Sequence, residues 1–384
     1  MATDGWPMRY NHRAAGDRAL STDRTLQAGE ETMATSGDMR AAALAAYRRQ
    51  VRRRIAIVAG MGLLCLMAFA LDISTGPSSL PLIDVWRGLF TPDQLSLPQQ
   101  TIIRDVRLPY ALMALLVGAA LSLAGTEMQT VLNNPLASPF TLGVSSAASF
   151  GAALAIVLGL SLPFIPGDWM VPFNAFLASF GSVLLLEALA RSRAAGMEGV
   201  VLFGIALVFT FNALVALIQF VASQEALSQL VFWGMGSLTR ATWNNLAVLA
   251  LVVALTVPFS IRAAHALTAL RLGEDRARSF GIDVKRLRFL SLLRISALSA
   301  TAVAFVGTIG FIGLVGPHIA RLLLGEDHRF LLPASMLTGA LIMSLASVLS
   351  KVLVPGVLLP VGIVTSMIGV PVFLLLIMRR PERV

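Results

Sequence analysis

Between Ile55 and Met378 the chain runs through successive membrane-length apolar stretches, separated by short breaks rich in Gly, Pro or charge. In hydrocarbon every backbone N–H and C=O must be paired within the protein, so apolar stretches of about 20 residues read as spanning helices. The pattern predicts spans at about 55 to 73, 107 to 130, 141 to 160, 169 to 190, 200 to 222, 243 to 261, 289 to 307, 312 to 324, 332 to 353 and 362 to 378. The stretch at 312 to 324 is short, and parity supports it. Arg52 to Arg54 before the first span and Arg379, Arg380 and Arg383 after the last both assign the flanking chain to the cytoplasm, so the number of spans is even. The expected fold is an all-α polytopic membrane protein of about ten transmembrane helices.

Basic residues at the breaks alternate between abundant and scarce. Arg191 and Arg193 follow the fourth span, and Arg262, Arg271, Arg276, Arg278, Lys285, Arg286 and Arg288 fall between the sixth and seventh; these sides are read as cytoplasmic. Ser223 to Thr242 carries a single Arg, and Val354 to Pro360 carries no charge, so those breaks are read as external. In the second span Ala114, Gly118 and Ser122 recur at helical spacing beside Ala120 and Ala124, which lets helix backbones approach closely. The run Gly307-Thr308-Ile309-Gly310-Phe311-Ile312-Gly313 is too Gly-rich for a span interior and marks a re-entrant or tightly turning piece.

Composition narrows the classes. At 56% hydrophobic and 13% charged the chain is no ordinary soluble domain, and its net charge of +9 sits at span ends, where membrane topology places it; nucleic-acid binding is not expected. Cys65 is the only cysteine, which excludes a disulfide framework. Residues 1 to 54 hold ten Arg and six acidic residues and show no apolar periodicity before about Met39, which reads as a disordered basic cytoplasmic tail. Arg40 to Arg54 could instead be helical and lie on anionic headgroups. A start at Met33 or Met39 is the alternative to so long a tail. A cleaved signal is disfavoured by the length of the lead before the apolar run.

No Gly-x-x-x-x-Gly-Lys-Ser/Thr loop is present, so any ATP dependence requires a partner, and the four His residues show no metal-ligand spacing. No catalytic constellation can be assembled. Ion-coupled transport normally leaves carboxylates near the bilayer centre, whereas Glu127, Glu187, Arg294 and Lys351 fall near span ends, where snorkelling accounts for them. In the fifth span Asn212 and Gln219 share one helical face with Thr210 nearby; this polar stripe faces either a pathway or a neighbouring helix.

Arg107-Leu108-Pro109, Val117-Gly118-Ala119-Ala120-Leu121-Ser122, Asn134-Pro135-Leu136-Ala137-Ser138-Pro139 and Leu142-Gly143-Val144-Ser145-Ser146 together resemble the permeases of ABC importers for iron-siderophore, haem and cobalamin. The resemblance resumes at Phe232-Trp233-Gly234-Met235-Gly236-Ser237-Leu238, Leu272-Gly273-Glu274, Ala277-Arg278-Ser279-Phe280-Gly281, Pro317-His318-Ile319-Ala320-Arg321, Asp327-His328-Arg329 and Leu359-Pro360-Val361-Gly362, and covers 55 to 380 in order. It implies a type II importer permease: a transmembrane domain over 55 to 380 with a coupling loop at 262 to 288, working as a homodimer or a pair of homologous permeases. Two separate ATPase subunits binding ATP and Mg, and a substrate-binding protein on the opposite side, are implied as partners. The chain itself is then not an enzyme and binds no cofactor or metal.

Residue by residue, the resemblance implies a cytoplasmic gate at Asn134, Pro135 and Leu136, and a pathway lined by Thr210, Asn212 and Gln219. It places ATPase coupling at Leu272, Gly273, Glu274, Ala277, Arg278 and Gly281. Docking of the binding protein falls to Arg107 and Lys351, the latter lacking Arg's bidentate fork. Tyr110 stands where some members have a further Arg, and Glu127 where the family is usually apolar. The expected function is import of a ferric siderophore across the bacterial cytoplasmic (inner) membrane, both termini inside, with haem or cobalamin as alternative cargo and an ion-coupled secondary transporter as the rival class.

Overall fold

A computed structural model describes residues 12–76, 80–160, 162–191 and 197–378. The first eleven residues, Arg193, Arg379, Arg380 and Arg383 lie outside the described residues, and for Arg191 only the backbone is described. Among the described residues the regular structure is helical: α1 (His12–Ser74), α2 (Leu82–Phe90), α3 (Leu97–Thr101), α4 (Leu108–Val131), α5 (Val144–Ile156), α6 (Gly167–Arg191), α7 (Met197–Phe220), α8 (Gln224–Gly234), α9 (Trp243–Arg271), α10 (Glu274–Ser279), α11 (Val284–Val306), α12 (Ile312–Leu324), α13 (His328–Val352) and α14 (Val361–Met378). Each predicted span falls on one of these helices. Seven helices are long and apolar enough to cross a membrane, and the shorter apolar helices Val144–Ile156, Ile312–Leu324 and Val361–Leu375 supply the other three.

The chain divides into two units, Met1–Ala56 and Ile57–Val384. In the first, the backbone from His12 onward is helical, including the Arg40 to Arg54 segment for which a helix was the alternative reading. Ala and Arg, the commonest residues of this stretch, are both strong helix formers. The second unit holds the bundle.

At its centre lies α4, almost wholly buried and packed on α9, α11, α12 and α13. Its small residues act as the sequence suggested. A Cβ on Gly118 would run into the Gly339 carbonyl of α13, and one on Gly125 into the Gly313 carbonyl of α12, so backbone meets backbone along both faces. A π-helical turn, Ile102–Arg107, leads into α4.

One end of the bundle collects the C-termini of α4, α9 and α12 with the N-termini of α11 and α13; it is the basic end. At the other end, the motif after α8 is pinned to the Gly-rich run. The Ser237 N–H donates to the Val306 carbonyl (2.7 Å), Gly362 N–H donates to Gly236 O (3.1 Å), and the Thr308 hydroxyl donates to Gly234 O. Phe311 sits in the left-handed region (φ 69°) and starts α12, so 307 to 311 is the tight non-helical turn expected there.

Candidate functional site

The break after α4 is a stiff turn. Asn133 takes a left-handed φ of 44°, Asn134 Oδ1 accepts from the Leu136 N–H (2.9 Å), and Ser138 and Thr141 exchange backbone-to-hydroxyl bonds (3.0 and 3.2 Å). Side-chain acceptors that satisfy nearby backbone donors hold such turns without a sheet or helix. Asn134 is half-buried, whereas Pro135 and Leu136 are exposed, Leu136 at 41%, at the basic end of the bundle.

The predicted loop 262 to 288 is shorter than expected, because α9 continues to Arg271 and α11 begins at Val284. The Ala263, Ala264, Ala266 and Ala269 run sustains the helix beyond the span. What remains is α10 and its turns. Gly273 (φ 110°) and Gly281 (φ 78°) bracket it, and neither has a neighbour that a Cβ would meet, so backbone conformation alone demands glycine there. Ala277 is fully buried and anchors α10. Glu274 accepts from Arg278 (2.5 Å) and from Arg288 of α11 (2.9 Å). Leu272 and Phe280 project outward, 53% and 65% exposed, at its two ends. An apolar pair therefore flanks a charged helical turn at the surface of the described chain.

A polar network joins the C-terminus of α9, beside α10, to the turn after α4 and the start of α13. Arg271, the last residue of α9, donates to Asn133 Oδ1 (2.9 Å) and pairs with Glu326 (3.0 Å); Arg321 pairs with the same carboxylate oxygen (3.0 Å) and donates to Gln129 Oε1 (3.0 Å). His328 is buried beside it, with Nε2 2.8 Å from the Thr130 hydroxyl and its backbone N–H donating to Thr268 Oγ1 (3.0 Å). Burial alone would raise the Glu326 carboxyl, but the two guanidiniums outweigh it and hold the group below the ordinary carboxylate range. Hydropathy does not reveal this network. Its signal was there in the polar run Gln129, Thr130, Asn133 at the end of an apolar span.

On α7, Thr210 and Asn212 are exposed and Gln219 is half-buried; Thr210 returns its hydroxyl to the Ala206 carbonyl (2.9 Å). Leu202, Phe209, Leu217 and Phe220 of the same helix are also exposed. This helix therefore shows the subunit surface a mixed polar and apolar face.

Arg107 and Lys351 depart from expectation. Both were expected at the surface as docking bases, and both are buried, 5% and 8% exposed. Arg107 donates to the carbonyls of Ile73 and Ser74 at the end of α1 (3.2 Å each), where a helix C-terminus favours a cation. Lys351 Nζ reaches Asp72 Oδ1 (2.6 Å) and the Asp72 carbonyl (2.8 Å), and lies 4.4 Å from the Tyr110 ring centroid. Asp72, at the end of α1, neutralises the lysine from within, so both bases tie the end of α1 to the bundle.

Glu127 and Arg294 are likewise not snorkelling residues. They form a bidentate pair between α4 and α11, Arg294 Nη2 to Glu127 Oε2 at 2.6 Å and Nε to Oε1 at 3.0 Å, with Ser291 Oγ accepting a further bond (2.8 Å). The carboxylate is 1% exposed. The pair explains an acid at a usually apolar site: its countercharge is on the neighbouring helix. Among the described residues no cluster of His, Cys, Asp and Glu could hold a metal ion.

Residues 64–379 match the model of the FecCD transport family. The hemin transport system permease protein HmuU of Yersinia pestis is 35% identical over 279 residues, 73% of this chain and 84% of that one. The ferric enterobactin transport system permease protein FepD of Escherichia coli K12 is 37% identical over 335 residues, 86% of this chain and 97% of that one. Among solved structures, an inward-facing metal-chelate type ABC transporter superposes with a TM-score of 0.74 at 32% identity, covering 84% of this chain and 99% of that one.

Proposed function

The chain belongs to the FecCD transport family, and on that premise we propose that it is the permease subunit of an importer that moves a ferric siderophore across the bacterial inner membrane, both termini in the cytoplasm, driven by ATP hydrolysed on two partner subunits. The basic end is then cytoplasmic. The ATPases seat on α10 through Leu272 and Phe280, a second permease copy packs on the α7 face, and a binding protein delivers cargo at the charge-poor end.

The observation that carries this reading is the network from the end of α9, next to α10, to the turn after α4. A rigid-body shift of α10 pulls on α9 at Arg271, and Arg271 holds Asn133, one residue before the gate turn of Asn134, Pro135 and Leu136. Packed elements with two discrete arrangements transmit such shifts, and ATP acts by differential affinity for the two. The buried Glu127 and Asp72 carboxylates are both closed into ion pairs, so they are poor candidates for coupling-ion sites.

The substrate is tested by titrating the cognate binding protein with ferric siderophores, haem and cobalamin. The reading expects retention of the siderophore complex at submicromolar concentration and none of the others. Haem or cobalamin bound in preference would transfer the assignment to that cargo.

A further inference from the structure

At the charge-poor end, away from the network, α6, α8, α9 and α11 enclose a cleft of about 610 Å³ that continues into a second of about 490 Å³ through three shared residues, Trp169, Pro172 and Phe305. The two halves differ in chemistry. The upper half is lined by Arg240, Gln229, Asn244 and Asn245, with Asp168 exposed on its wall. The lower half is apolar, walled by Phe173, Phe176, Val248 and Val252. Trp169 and Phe305 meet edge to face (centroids 5.7 Å apart) at the waist. From Asn245 through Val248 to Val252 the cleft follows one helix inward for about 10 Å, the distance from headgroup level into hydrocarbon.

Arg240 supplies the second observation. Its Nη1 is buried in the polar half and has no hydrogen-bond partner, although a guanidinium is always charged and an unsatisfied buried donor is costly. Asn245 Nδ2 donates to the Arg240 carbonyl (3.2 Å) and fixes the backbone that carries it. A cation with an open donor above an apolar slot, with a Trp at the boundary, matches a molecule with an anionic head and a hydrocarbon tail. Asp168 adds a place for a positive group on the same head.

We propose that this cleft is a specific site for a phosphatidylethanolamine molecule of the outer leaflet, its phosphate on Arg240, its ammonium toward Asp168 and an acyl chain between Phe173, Phe176, Val248 and Val252. The proposal rests on the membrane placement of the chain and on the outward orientation of this end, and is independent of cargo and of ATP coupling.

The test is native mass spectrometry of the permease released from nanodiscs of phosphatidylethanolamine and phosphatidylcholine. The unmodified chain should retain phosphatidylethanolamine. Arg240→Gln removes the phosphate contact, and Val252→Trp fills the tail slot without touching the head; each should lower retention about fivefold or more, as expected for loss of a charge-assisted contact or of a buried chain. Size-exclusion profiles matching the unmodified protein show that both variants fold, and Arg240→Lys, which keeps the charge, should retain more lipid than Arg240→Gln. Equal retention by the unmodified chain and Arg240→Gln would overturn the proposal. Loss with Arg240→Gln but not with Val252→Trp would also overturn it, since that outcome describes a bare anion site.

Discussion

Lys351 carries its charge inside the bundle, 4% exposed at the side chain, against an Asp72 that is fully buried. Breaking a buried pair by removing one partner leaves an uncompensated charge and typically costs about 3–5 kcal/mol, whereas replacing both is close to neutral. Lys351→Met should therefore lower the thermal stability of the solubilised permease sharply, and Asp72→Asn with Lys351→Met should recover most of the loss. A docking role predicts the opposite: a near-normal melting curve for Lys351→Met and slower, salt-sensitive association with the binding protein. The sequence showed Lys351, Arg294 and Glu127 as charges near span ends, but not their partners. Asp72 lies 279 residues from Lys351 and Glu127 lies 167 from Arg294, and such separations are resolved only by helix packing. Hydropathy reads one helix at a time.

The elements themselves were legible because hydrocarbon leaves the backbone no alternative to helix, and the ten predicted spans each fall on a helix. Boundaries were less so. The Ala-rich end of α9 carries no charge pattern that would stop a helix before Arg271, and the 262 to 288 loop was accordingly drawn too long. Two predictions belong at this scale. Leu136 is exposed on a turn fixed by its own side-chain bonds, so Leu136→Ala should leave assembly intact while raising futile ATP turnover or leak in the assembled transporter; unchanged flux and turnover would make the turn purely structural. For the network, the sign follows from Glu326, whose carboxyl burial would raise but Arg321 and Arg271 hold below its ordinary range. A depressed acid contributes stability above its unfolded value and loses it as pH falls through the folded one. Thermal stability should thus hold down to about pH 4, near the ordinary Glu value, and decline below it, and Glu326→Gln should flatten that acid limb. An acid limb identical in Glu326→Gln and the unmodified chain would remove Glu326 from the network's energetics.

At the scale of the whole molecule, one subunit presents three unlike surfaces: the α10 knob at the basic end, the mixed face of α7 along its length, and the charge-poor end with its α8 motif pinned to the Gly-rich turn. The proposed reading gives each of them a different partner. The link between them is not legible in sequence, where Arg271 is one base among seven and its partner Asn133 lies 138 residues away. The central claim is that ATP binding on the partner subunits seated at α10, relayed through Arg271, drives the alternating access of this permease. The most direct test is uptake of radio-iron siderophore into proteoliposomes holding the permease, its ATPase subunits and the binding protein, with ATP on the α10 side. The account predicts accumulation that requires ATP and stops when Arg271→Gln separates hydrolysis, which continues, from uptake, which fails. Accumulation driven by an imposed proton or sodium gradient with no ATP present would contradict it.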